Sequence, residues 1–265
     1  MSRKLRQPAV AELFYPGETE PLRSLLDQLM RGPDSGSQAP KAIIVPHAGY
    51  VFSGSTAAAA YARLAPARER IKRVVLLGPA HRVQFQGIAG HSGDAFVTPL
   101  GEVPLDGAAL GRLLDLSHVG LLDEAHTQEH SLEVQLPFLQ HLLDDFELVP
   151  LAVGDTTAAA VAAVLERLWG GAETLVVIST DLSHYHDYET ARRLDGRTAD
   201  NILHRRHEAI GYQDACGRNP LIGLIELARR RDLRIELLRL CSSGDSAAGD
   251  HSRVVGYGAF AVYED

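Results

Sequence analysis

Cysteine is scarce in this sequence. Only Cys216 and Cys241 occur in 265 residues, so no disulfide framework holds the fold together and a packed core must do so. That usage fits a reducing, cytoplasmic setting, which is the expected localisation. Positive charge is also short: 26 Lys and Arg against 34 Asp and Glu give a formal net charge of -8. Nucleic-acid binding draws most of its strength from neutralising phosphates, so no nucleic acid is expected as the main partner. The basic run Arg229 to Arg231 reads as a solvated helix end. Long apolar runs are missing too. None approaches the roughly 20 residues needed to cross a bilayer, so no membrane partner is expected. Met1 to Lys4 lead into a polar stretch, where a secretory signal would place an apolar core of about 7 to 15 residues. There is no repeat of solenoid length, and the alanine-rich stretches read as short helices, not low-complexity tails.

What is present is an ordinary globular composition, 45% hydrophobic and 23% charged. The length suits one large α/β domain or two smaller ones, and a single domain over 1–265 is expected. Ala42 to Val45, Arg73 to Leu77, Leu148 to Val153, Thr174 to Ser179, Arg234 to Leu240 and Val254 to Val262 read as strands. Ser55 to Leu64, Leu105 to Leu116, Ser131 to Leu143, Thr157 to Trp169, Glu189 to Ala209 and Leu221 to Arg230 have helical spacing or strong helix formers. This alternation predicts βαβ units and a central, mostly parallel or mixed sheet flanked by helices. Arg31 to Pro40, rich in Gly, Pro and Ser, reads as a surface connection after an N-terminal helix. Thr156 or Thr157 is the expected cap of the fourth helix and Gly170-Gly171 its stop. Pro137 predicts either a bend or a new helix start.

Four chemically capable residues follow strand-like runs closely: His47, His81, Asp181 and His184. In an α/β sheet the carboxyl ends of parallel strands share one edge, so groups distant in sequence converge there. Pro46 and Gly49 give the first run a sharp exit, and Gly78-Pro79 does so before His81. A lone histidine in such a place is more often an ordinary polar loop residue, and two in near-equivalent settings leave that reading and a shared site evenly matched. Asp181 has three readings: metal ligand, orienter of a ligand histidine, or cap of the following helix. His184 suits proton transfer near neutral pH. Glu129-His130-Ser131, with Glu133 and Gln135, opens a predicted helix and reads locally as a polar first turn favoured by the helix dipole. Cys216, in a turn marked by Gly217 and Pro220, is either a thiolate ligand or a small buried side chain. Cys241 reads as structural.

Taken together, Pro46-His47-Ala48-Gly49-Tyr50, Leu77-Gly78-Pro79-Ala80-His81, Glu129-His130-Ser131-Leu132-Glu133, Ser179-Thr180-Asp181-Leu182-Ser183-His184, Cys216-Gly217-Arg218-Asn219-Pro220 and Val254-Val255-Gly256-Tyr257 resemble the Memo family. Its bacterial branch is the AmmeMemoRadiSam system protein B group. The resemblance begins at Phe14-Tyr15-Pro16 and runs to the C-terminus in one order. It implies a fold similar to the class III extradiol ring-cleavage dioxygenases, which use non-haem ferrous iron. Carried over by residue, it implies metal ligands at His47, His81 and Cys216, with Asp181 and His184 as catalytic groups and Glu129 and His130 lining the same pocket. The dioxygenases complete their ligand set with a carboxylate, whereas Cys216 stands here. A thiolate is softer, so zinc and copper join iron as plausible metals and ring cleavage does not follow from the fold.

Three functions follow as expectations. The first is an iron-dependent, dioxygenase-like oxidoreductase acting on a small molecule. The second is a non-catalytic binding or adaptor protein whose pocket takes a peptide or partner, with radical-SAM and AMMECR-type proteins implied by the family's naming. The third is a zinc-dependent hydrolase, because two imidazoles, a thiolate and water also form a catalytic zinc set.

Overall fold

The computed structural model describes residues 3–32, 35–247 and 249–264. Met1 and Ser2 of the N-terminal reading, and Pro33 and Asp34 of the connection at 31–40, lie outside the described residues. Within them the chain forms β1 (Leu5–Arg6), α1 (Thr19–Met30), β2 (Ala42–Val45), α2 (Tyr50–Tyr61), β3 (Arg73–Pro79), β4 (Ile88–Gly90), β5 (Ala95–Thr98), β6 (Gly101–Pro104), α3 (Gly107–Gly111), β7 (Val119–Leu121) and α4 (Glu124–Thr127). It continues with α5 (Leu136–Leu142), β8 (Glu147–Val153), α6 (Ala158–Leu168), β9 (Thr174–Ser179), β10 (His184–His186), α7 (Tyr188–Leu203), α8 (Arg218–Arg230), β11 (Arg234–Ser242) and β12 (Val254–Tyr263).

One nine-stranded sheet runs β10-β12-β2-β9-β3-β8-β4-β7, with β11 also pairing β12. Its centre, β2-β9-β3-β8, is parallel, and β12 and β4 join that centre antiparallel. The fold is therefore α/β with a mixed sheet flanked by helices. The central strands are continuous apolar runs because both of their faces are covered. Ala42 and Ile44 of β2, with Val75, Leu77, Val176 and Ile178, pack under α6 and α8. Ile43 and Val45, with Val74, Leu76, Leu175 and Val177, pack under α1, α2 and α5. Side chains alternate between faces with period two, so each strand feeds both cores. Each fully buried aliphatic side chain contributes about 1.5 to 3 kcal/mol, largely offset by the entropy of ordering the chain. A smaller, separately hydrogen-bonded sheet runs β1-β5-β6, and Leu105, just after β6, bridges Leu148 of β8.

Several boundaries differ from those the sequence predicts. The helix expected over 105–116 is reduced to Gly107–Gly111, capped by Asp106, whose carboxylate accepts from the Ala109 N–H. Glycines at both of its ends weaken any longer helix there. The helix expected from Ser131 starts at Leu136 after a short 3-10 turn at Glu133–Gln135, with Pro137 in its first turn. Proline is tolerated there because the first N–H groups of a helix have no intrahelical partner. Thr157 caps α6 by accepting from the Ala160 N–H, and Gly170 follows it at φ 59°. The helix after β10 begins at Tyr188 and is capped by Asp187, so Asp181 is free of that role. Among the described residues no helix is long and apolar enough to cross a membrane.

Candidate metal centre

The parallel centre of the sheet dictates where the site sits. β2, β9 and β3 are adjacent, and their carboxyl ends lead directly into His47, Asp181 and His81. Cys216 comes from the turn just before α8. Gly217 makes that approach feasible, since a Cβ there would meet the Ser179 carbonyl oxygen and the Thr180 Cβ at 2.6 Å. Gly78 has a similar function in β3: a Cβ would lie 2.8 Å from Ser131 Oγ, so only glycine lets the 129–132 loop pack against the strand. The result is that His47, His81 and Cys216 each offer one ligand atom, all within 4.8 Å of one another. Cys216 Sγ lies 3.3 Å from His47 Nε2.

Hydrogen bonds orient these groups. His81 Nδ1 donates to Glu129 Oε1 at 2.9 Å, and the His81 backbone N–H donates to Glu129 Oε2 at 2.5 Å. Oε1 also accepts from the backbone N–H groups of His130 and Ser131. Burial pushes the Glu129 carboxyl up, but these donors outweigh it and hold the pKa at about 2. A carboxylate that accepts only can take just the Nδ1–H tautomer of His81, which leaves the Nε2 lone pair facing away from Glu129. His81, Glu129 and His130 also cluster within 4.8 Å, but Glu129 Oε1 already accepts from His81 Nδ1 and from two backbone N–H groups, the arrangement of an orienting carboxylate behind a ligand histidine. His47 Nδ1 lies 2.8 Å from Ser179 Oγ, and the His47 backbone N–H donates to Asp181 Oδ1 at 2.8 Å.

The electrostatics favour neutral imidazoles at His47, His130 and His184. Burial, reinforced by the neighbouring His81, His130 and His184, pushes the His47 pKa well below 6.5. Burial takes His130 down to about 4 and lowers His184 as well. Burial pushes Asp181 up to about 7, with the His47 N–H opposing it, and raises the Cys216 thiol. A cation bound here would therefore have to displace the thiol proton.

His47, His81, His130, Asp181, His184 and Cys216 line one cavity of about 660 Å³. The His130 ring stacks on His81 at 4.7 Å, meets His47 edge-on at 5.4 Å and is covered by Phe14 at 4.9 Å. His184 Nδ1 donates to the Leu182 carbonyl at 2.8 Å, so its Nε2 carries the lone pair. Tyr185, at the rim, has φ 64°, an uncommon conformation for a bulky residue, and carries the Arg253 guanidinium over its ring at 4.4 Å. A second cavity of about 820 Å³ shares Cys216 and Tyr212 with the first. Tyr212 is held by a 3.2 Å bond to Asp155 and by Arg218 over its ring at 4.5 Å. The sequence assigns no site role to Ser179, Phe14 or Tyr212, although the first two fall in the motifs that carry the family resemblance. Tyr212 carries no local signal, whereas Ser179 is a hydroxyl ending an otherwise apolar strand.

A profile describing Memo-like proteins matches residues 6–261 of this chain. The chain is 36% identical over 265 residues to a MEMO1 family protein of Aquifex aeolicus, covering 96% of this chain and 97% of that protein. It is 37% identical over 287 residues to one of Aeropyrum pernix, covering 98% and 100%. Among solved structures, an uncharacterized protein of Escherichia coli K12 is similar with a TM-score of 0.54 and 15% identity, covering 82% of this chain and 98% of that one. At that identity the likeness is one of fold.

Proposed function

This chain belongs to the Memo family, and from that premise we propose that it is a metal-dependent oxidoreductase whose His47, His81 and Cys216 hold ferrous iron. The observation that carries the reading is the convergence of two imidazoles and one sulfur, from three separate elements, within 4.8 Å. Two nitrogens and a thiolate suit iron, zinc or copper. Iron bound there would supply one-electron and dioxygen chemistry at the floor of the cavity.

The chain's own groups then have distinct roles. Glu129 fixes the His81 ring and, with its pKa held at about 2, is a weak base. His184, anchored through Nδ1, presents Nε2 to the cavity as a proton acceptor. Asp181, with a pKa of about 7, exchanges a proton readily at neutral pH and lies against both His47 and Cys216. Phe14 and the stacked His130 limit water on one side.

Protein purified without oxygen and loaded with ferrous iron is expected to bind near one equivalent and to give the spectrum of a nitrosyl adduct, which reports open positions. His47→Ala and Cys216→Ala are expected to lower the affinity at least 100-fold. Wild-type protein that takes up no iron under these conditions would refute the reading. The same three ligands also satisfy a catalytic zinc set, with His184 as the base because Glu129, its pKa held at about 2, is a weak one. Turnover restored by zinc alone, and not by iron, would favour that second reading.

A further inference from the structure

Ser179, the last residue of β9, is fully buried and makes three side-chain contacts. Its Oγ lies 2.6 Å from the Ser131 carbonyl oxygen, 2.9 Å from Gln135 Nε2 and 2.8 Å from His47 Nδ1. Gln135, also fully buried, lies with Nε2 2.9 Å from the Pro46 carbonyl oxygen, while its Oε1 accepts from the Tyr61 hydroxyl at 2.9 Å. The Pro46 carbonyl only accepts, which fixes the amide orientation: Nε2 faces it, and the second amide hydrogen goes to Ser179. The Ser131 carbonyl also only accepts, so the single Ser179 hydrogen goes there. Ser179 Oγ then has one lone pair taken by Gln135 and one free, and no hydrogen left for His47.

We infer that Ser179 and Gln135 are positioning residues that lock His47 in its Nδ1–H tautomer, leaving the Nε2 lone pair beside Cys216 Sγ. This rests on the proposed function only for its purpose, since the proton inventory is a property of the metal-free chain. The network is directional because two backbone carbonyls, which cannot exchange roles, sit at its ends. His81 reaches the same state through the carboxylate of Glu129, so one ligand is oriented by an ion and the other by a neutral chain. An unpartnered Nδ1–H on this buried ring is unfavourable, which favours the ring turning over or its proton moving to Nε2.

The test uses chelator-stripped protein labelled with 15N-histidine, in which long-range proton–nitrogen correlations at neutral pH report the protonated ring nitrogen. Wild-type His47 is expected to carry its proton on Nδ1. Ser179→Ala should populate the Nε2–H form and weaken ferrous binding 10- to 100-fold, the range for losing such an outer partner. Gln135→Leu should weaken it less, and Ser179→Thr, which keeps the hydroxyl, should preserve both tautomer and affinity. A wild-type proton on Nε2, or Ser179→Ala with unchanged tautomer and affinity, overturns the inference. If Ser179→Ala does not fold, the wild-type spectrum and Ser179→Thr decide alone. Failure of the wild-type protein to bind iron would defeat the proposed function while leaving the spectroscopic result intact.

Discussion

Two groups of histidines can be set side by side. At the sheet edge, His47 and His81 are tied down through Nδ1 and converge on a sulfur. Elsewhere, His126 donates through Nε2 to the Ala89 carbonyl, and His91 Nδ1 accepts from the Gly93 N–H, with the two rings edge-on at 5.4 Å beside Phe96. Burial depresses the pKa of a histidine in each group: His47 falls well below 6.5 and His126 to about 4. Yet among the described residues the only groups of three His, Cys, Asp or Glu within 4.8 Å lie at the sheet edge. A histidine that resists protonation is thus a generic product of packing. A ligand site is recognised by convergent lone pairs and by partners that hold them.

The largest effect that would break this comparison concerns metal content. His81→Ala is expected to reduce bound iron to background in elemental analysis, whereas His126→Gln, which keeps an amide donor for Ala89, should retain the full equivalent. Loss of metal in both variants would erase the distinction. A smaller effect tests the link between the regions. Arg6 donates to the carbonyls of His126 and Glu129 and pairs with buried Glu133, which also accepts from Ala9 N, Val10 N and the Tyr15 hydroxyl. Arg6→Met leaves that carboxylate unpaired and should lower the unfolding free energy in denaturant titrations by about 3 to 5 kcal/mol. A change under about 1 kcal/mol would mean the tie carries no load.

The smallest effect sharpens the contrast through pH. His126 titrates near 4 in the folded chain, below its ordinary 6.5. The unfolded chain therefore binds the proton first, so stability is complete above about pH 6.5 and declines as pH falls toward 4. A shift of this size corresponds to about 3 kcal/mol. His126→Gln should flatten that part of the stability profile, and an unchanged slope would assign the acid sensitivity to other groups.

How much of this was legible in the sequence follows from the kind of signal each part leaves. β2, β3, β8 and β9 are continuous apolar runs, and a strand covered on both faces has no other way to look. β4, β5, β6, β7 and β10 have three or four residues each and depend on distant partners, so no local pattern marks them. The positions of His47, His81 and Asp181 follow from strand ends marked by proline, glycine or a change of polarity. The part played by Glu129 does not, because a first-turn glutamate and an orienting carboxylate look alike until His81 is brought to it. Gln135 was visible only as a polar residue in a helix opening. The signal left in Ser179 was a hydroxyl closing Leu175-Val176-Val177-Ile178, a place where a buried polar atom must find partners.

Tyr212 and Cys216 belong to the lining of both cavities, so the two chambers have a wall in common. The Tyr212 phenol is tied to Asp155 and its ring lies under the Arg218 guanidinium. Any substitution at Cys216 therefore alters the neighbouring chamber along with the ligand cluster.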